Sequence, residues 1–200
     1  MKRWLVAAII AGALLPKLAF AAGSVVELPA GVGDEVNVTS DSAAGWVPTV
    51  DQRVAAVQTA QHFIDAVEQG HFAEAYGLFA APVKAHRTMA EFEQVESKFQ
   101  ALAGPARFWR VHRLTWTKDP SRAPAPGVYV AIDLSAKFAN IDRDCGYLVL
   151  YQAPKEAGLT VMRRQNNYLD NATARQIAAQ KSPAEVDRLW SQMARFCPNG

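Results

Sequence analysis

The apolar residues of this chain change their spacing once, and that change decides what it can fold into. From Thr49 to Gly104 they recur every three or four positions, the period of an amphipathic helix. From Arg107 to Tyr168 they alternate, the period of a half-buried strand. Helices followed by strands, not interleaved with them, predict an α+β fold with the helices on one face of a curved sheet.

Three helices are predicted ahead of the sheet. The first opens on a capping box, Thr49 with Gln52, carries Val50, Val54, Val57, Ile64 and Val67 on one face, and stops at Gly70. The second covers His71–Ala80, with Phe72, Ala75, Tyr76 and Phe79 at helical spacing. The third starts from another capping box, Thr88 with Glu91, presents Met89, Phe92, Val95, Phe99 and Leu102, and ends at Gly104-Pro105.

About four strands follow: Arg107–Thr117, Val128–Phe138, Cys145–Gln152 and Leu159–Tyr168. Their links are too short for parallel crossovers, so an antiparallel meander is expected. Val128–Phe138 alternates without a break, which turns Ile132 and its apolar companions inward and Asp133 toward solvent. Residues 171–200 read as a C-terminal helical extension, Asn171–Gln180 and Pro183–Phe196. The last helix has a capping box of its own, Ser182 with Glu185, and an apolar face of Val186, Leu189, Trp190, Met193 and Phe196. Asp187, Arg188, Ser191, Gln192 and Arg195 form its polar face, which is expected to meet water. Residues 22–49, rich in Gly, Pro and small polar side chains, read as a linker or N-terminal arm with one short strand at Ser24–Leu28. The Asn37-Val38-Thr39 sequon within it reads as a chance match.

Residues 1–21 have the form of a secretory signal: Lys2 and Arg3, an apolar run from Trp4 to Leu15, then Ala19-Phe20-Ala21 as a cleavage site. The run is too short to span a bilayer, so cleavage near Ala21, export to a bacterial periplasm and no stable membrane insertion are expected. The signal holds three of the 21 basic residues and none of the 19 acidic ones. The remainder is therefore close to neutral, which argues against a nucleic-acid partner.

The order of elements and several segments resemble a known family. AQHFIDAVEQGHFAEAYGLF at Ala60–Phe79, the third helix running into Phe108–Arg113, PGVYVAIDLSAKFAN at Pro126–Asn140 and QNNYL at Gln165–Leu169 carry the likeness. The stretch from about Val54 to Tyr168 resembles the bacterial domain-of-unknown-function 4019 (DUF4019) proteins. The resemblance implies membership of the NTF2-like, or cystatin-like, superfamily: a cone of curved antiparallel sheet wrapped over N-terminal helices, here residues 50–170. The C-terminal extension lies outside it.

No segment has the spacing of known catalytic or metal chemistry. There is no P-loop, nucleophile elbow or dinucleotide fingerprint, and His62, His71, His86 and His112 form no i, i+4 pair. No cofactor or metal is expected. NTF2-like proteins can carry a pocket in the mouth of the cone, and the resemblance directs attention there. His112 shares its phase with Phe108, Leu114 and Trp116, and is expected inward beside Arg110. Arg164, Asn166 and Tyr168 share a phase on the last strand, and Tyr76 comes from the second helix. These six are the candidate lining, where a His can do general acid–base work. A hydrogen-bonded polar patch or plain surface is the competing reading.

Cys145 and Cys197 are the only cysteines. An even count in an exported chain predicts a disulfide that pins the last helix to the domain; two separate buried thiols are the alternative. Two classes of function remain. One is an exported binding or interaction module for a small ligand or a protein. The other is a small cofactor-free enzyme of the isomerase or dehydratase kind. An enclosed pocket of roughly a few hundred Å³ inside the cone favours the enzyme, and a cone filled by Phe, Leu and Trp favours the module.

Overall fold

The computed structural model describes residues 25–27, 37–40, 42 and 44–194. The expected export signal at 1–21 and Cys197 lie outside these residues. Each of the three capping boxes forms: Thr49, Thr88 and Ser182 accept from the backbone N–H of Gln52, Glu91 and Glu185, whose side chains reach back to the cap. They start helices α1 (Val50–Glu68), α4 (Met89–Ala103) and α6 (Pro183–Met193). Two short helices, α2 (Phe72–Gly77) and α3 (Ala81–His86), lie between the first two, and α5 (Asn171–Ala178) precedes the last.

The second helix is shorter than its spacing suggests. Leu78–Ala80 leaves it to pair with the sheet: Val161 N–H donates to Leu78 O at 2.8 Å and Ala80 N–H to Val161 O at 2.9 Å. That contact covers the far edge of the sheet, which would otherwise expose unpaired backbone. α3, with its proline in the first turn, has too few residues to show a period and is absent from the sequence reading.

The sheet has six strands, not about four. β3 (Ala106–Lys118), β4 (Val128–Phe138), β5 (Ile141–Gln152) and β6 (Thr160–Asp170) form the antiparallel meander. Two short strands, β1 (Val25–Glu27) and β2 (Asn37–Thr39), lie parallel along the free edge of β3. Part of the expected arm is therefore sheet. Asn37 of the sequon is structural: its Oδ1 accepts from the Trp116 indole at 2.7 Å. Among the described residues no helix is long and apolar enough to cross a membrane.

One apolar cluster joins α1, α2 and α4 to a single face of β3–β6. Phe63, Phe79 and Phe92 meet at its centre, with ring centroids 5.4 Å apart for Phe63–Phe79 and 5.2 Å for Phe79–Phe92. Trp116, Leu114, Val130, Ile132, Leu148, Leu150 and Val161 supply the sheet side. The expected helix faces were partly rotated. Val50, Val54, Val95 and Leu102 are exposed, while Ala56, Ala60, Phe63 and Glu96 are buried. Small alanines let α1 approach closely, and an apolarity count alone overlooks them.

Candidate functional site

β3 contains a bulge that decides where the chemistry lies. Val111 pairs with Leu134 and Arg113 with Asp133, which leaves His112 as an extra residue between consecutive rungs. The strand's alternation therefore slips by one, and Trp109, Val111, Leu114 and Trp116 all face the core. The expectation that His112 points inward with Leu114 and Trp116 fails for this reason. His112 lies on the other face of the sheet, with Nε2 at 2.7 Å from Ser135 Oγ. Burial lowers its pKa below the usual histidine value, the Arg110 charge pushes the same way, and Asp133 partly opposes them. Burial thus favours the neutral imidazole.

Asp133 does point to that outer face, but it is not solvated. It is only 7 % exposed, and its carboxylate accepts from Arg113 Nη2 at 3.0 Å and Nε at 3.1 Å. Burial raises its pKa and Arg113 pulls it back. The error lay in equating the outer phase with water.

A groove of about 640 Å³ runs along this outer face. One wall is Phe108, Arg110 and His112 of β3 with Ser135 and Lys137 of β4. The floor comes from β5, residues Asp142 to Cys145, and the far wall is α6, through Asp187, Trp190 and Ser191. Arg143 ties floor to wall through Nη1, 2.6 Å from Asp187 Oδ1, while its Nε meets Asp142 Oδ2 within the floor at 3.2 Å. The polar face of α6, expected to meet water, is thus turned partly to the groove. Cys145 is buried in its floor, and its expected partner Cys197 is outside the described residues.

A second polar cluster, on the inner face, shares Asp144 with the groove floor. Arg164 of β6 forms a buried ion pair with Glu96 of α4. Burial raises the pKa of Glu68 on α1, and the Arg164 charge opposes that shift. Asp144 of β5 is pushed up to about 6 by burial, with Asn166, the Ala136 N–H and Arg164 working against it. The β4–β5 ladder ends at Leu134 and Gly146, so the Ala136 N–H takes Asp144 Oδ1 at 3.0 Å. Asp144 Oδ2 is buried and completes no hydrogen bond of standard geometry. Gly146 lets β6 come close: a Cβ there would lie 2.2 Å from Gln165 O. The void beside Arg164 and Asn166 is about 10 Å³, room for a single water at most.

The six candidate residues therefore do not share one pocket. Arg110 and His112 line the outer groove, and Arg164 and Asn166 belong to the inner cluster. Tyr76 packs against Phe79 and Phe92 and donates its hydroxyl to Arg87 O at 2.7 Å. Tyr168 lies on Phe99 at 5.1 Å. Sequence reasoning missed Ser135 and Lys137, which the outward phase of β4 contains, and Glu96, which sits four residues after Phe92 on the same helix face. A shallower depression of about 340 Å³ between α1 and α2 has His62 at 2.6 Å and His71 at 3.5 Å from Glu74. These side chains are about half exposed, which makes the pairs weak. Among the described residues no group of three His, Cys, Asp or Glu is placed to hold a metal ion.

The family described as "Protein of unknown function (DUF4019)" matches residues 59–158, half of the chain. The chain belongs to the DUF4019 family. No curated protein and no solved structure matches it. The DUF4019 region runs from within α1 to just before β6, so it includes the β3–β4 wall and the β5 floor of the groove. The α6 wall, with Asp187 and Trp190, is outside it, as are Arg164 and Asn166.

Proposed function

We propose that this DUF4019 protein is an exported module of the bacterial periplasm, of NTF2-like build, that binds a small ligand or protein segment in the groove between the outer sheet face and α6. One contrast carries the reading. The inner face is filled by Phe, Leu and Trp side chains around a void of about 10 Å³, whereas the outer groove offers about 640 Å³, within the range of ligand sites. Its wall combines a few convergent polar groups with the aromatic surfaces of Phe108 and Trp190, the mixture that fixes a ligand's orientation and supplies apolar area.

The signal-like leader supports export, and the helices-then-meander order supports NTF2-like build. The filled inner face weighs against the alternative, a cofactor-free isomerase or dehydratase working inside the cone. Native mass spectrometry of protein purified from its own host tests the reading. A bound species released on denaturation is expected; an unliganded mass across preparations, with no co-purifying partner, would count against it.

A further inference from the structure

The bulge at His112 brings a base to a hydroxyl. Arg110 is the partner of Ser135 in the ladder and Arg113 that of Asp133, so the extra residue is set between those rungs and its ring reaches across to β4. Nε2 stands 2.7 Å from Ser135 Oγ. Bulges re-aim side chains in this way beside active sites. Both residues are half-buried and both line the groove, so the pair is open to a ligand there.

A neutral imidazole accepts on one ring nitrogen, and burial favours that form here. With the ring hydrogen on Nδ1, Nε2 accepts from the Ser135 hydroxyl. A hydroxyl and a base at this distance, with a third group steadying the base, is the arrangement that activates a serine as a nucleophile. Asp133 is that third group, acting through its charge. It precedes Ser135 by two residues on the same face of β4, Arg113 holds its carboxylate at 3.0 Å, and it favours the protonated ring against the effect of Arg110.

We infer that Ser135 is a nucleophile for acyl transfer, with His112 as its general base, acting on carboxylic esters whose apolar acyl chain lies against Phe108 and Trp190 of the groove. The inference rests on the groove being the ligand site. Ser135 Oγ bonds to the ester carbonyl carbon while its proton passes to His112 Nε2. The bond from that carbon to the alcohol oxygen then breaks, and the departing oxygen takes the proton from His112. Water adds to the acyl-serine in the same manner, releases the carboxylic acid and restores the Ser135 hydroxyl.

The test treats the full chain with p-nitrophenyl butyrate and, for a stable adduct, with phenylmethanesulfonyl fluoride, and locates the modified residue by peptide mass spectrometry. Release of p-nitrophenol and sulfonylation of Ser135, with loss of fluoride, are expected. Ser135→Ala should abolish both. His112→Gln should slow both at least about hundredfold, the scale of a lost general base, and His86→Gln, on the exposed end of α3, should change neither. A sulfonyl group found nowhere, or only on other residues of the wild-type protein, overturns the inference whatever the folding of the variants. So does p-nitrophenol release undiminished in a folded Ser135→Ala protein, or a folded His112→Gln protein as fast as wild type. Each of these outcomes leaves the groove reading standing, since retrieval of a bound species by native mass spectrometry does not depend on acylation.

Discussion

Asp144→Asn should make the protein more stable at neutral pH. The wild-type carboxyl is buried, and its pKa is about 6 against an ordinary value of 3.8. A raised carboxyl pKa means that folding disfavours the charged form. Stability is therefore unaffected below about pH 3.8, falls as pH rises toward 6, and stays reduced above that. At 1.36 kcal/mol per pKa unit the cost reaches about 3 kcal/mol at pH 7.5 and is about 0.5 kcal/mol at pH 4. Asparagine cannot ionise. Its Oδ1 can still accept from the Ala136 N–H, and an amide flip of Asn166 presents an oxygen to the new NH₂ group. Urea unfolding of both proteins at pH 7.5 and pH 4 is the assay. The variant should gain on the order of 3 kcal/mol at the higher pH, and the gap should nearly close at the lower. A wild type that is the more stable at pH 7.5, or a gap independent of pH, would refute the view that burial dominates this carboxyl.

Ile132→Asp should unfold the domain, because a carboxylate in that fully buried site costs several kcal/mol, comparable to the whole stability of a small domain. Asp133→Ala should lower stability only by about 1 kcal/mol, since Arg113, its ion-pair partner, is 54 % exposed; thermal melts distinguish the two, and equal losses would mean that the β4 register is inverted. For the Cys145–Cys197 bridge expected from the sequence, thiol titration of the denatured, unreduced protein purified from its own host should find no free thiol, and two free thiols would eliminate the bridge. Arg143→Gln removes the ion pair with Asp187 that ties α6 to β5, so hydrogen exchange in α6 should quicken while that of β3–β6 is unchanged; no change in α6 would show that other contacts hold it.

The capping boxes were legible because they depend on residues only three apart, and Thr49, Thr88 and Ser182 all start helices. The meander was legible from alternation and short links. What escaped depends on pairing between distant segments. The short strand expected at Ser24–Leu28 forms as β1, but β2 takes its order from β3 and not from its own composition, which is why Asn37 looked like linker. The bulge at His112 is a mismatch between two strands, and one strand's alternation cannot reveal it. Without that slip, His112 joins Leu114 and Trp116 on paper, and the site moves to the wrong side of the sheet. Glu96 escaped for a related reason: its burial depends on Arg164, 68 residues later. Arg110 and His112 line the outer groove and not the inward face on which alternation alone puts His112; that face had to come from the register.

The most direct test of a ligand site on the outer face is native mass spectrometry of Ser135→Trp purified from its own host. The new indole projects from β4 into the groove and leaves the inner apolar cluster untouched, so the melting temperature should stay near that of wild type. The bound species retained by the wild type is expected to be lost from this variant. Full retention of the same mass by a folded Ser135→Trp protein would contradict the groove as the binding site.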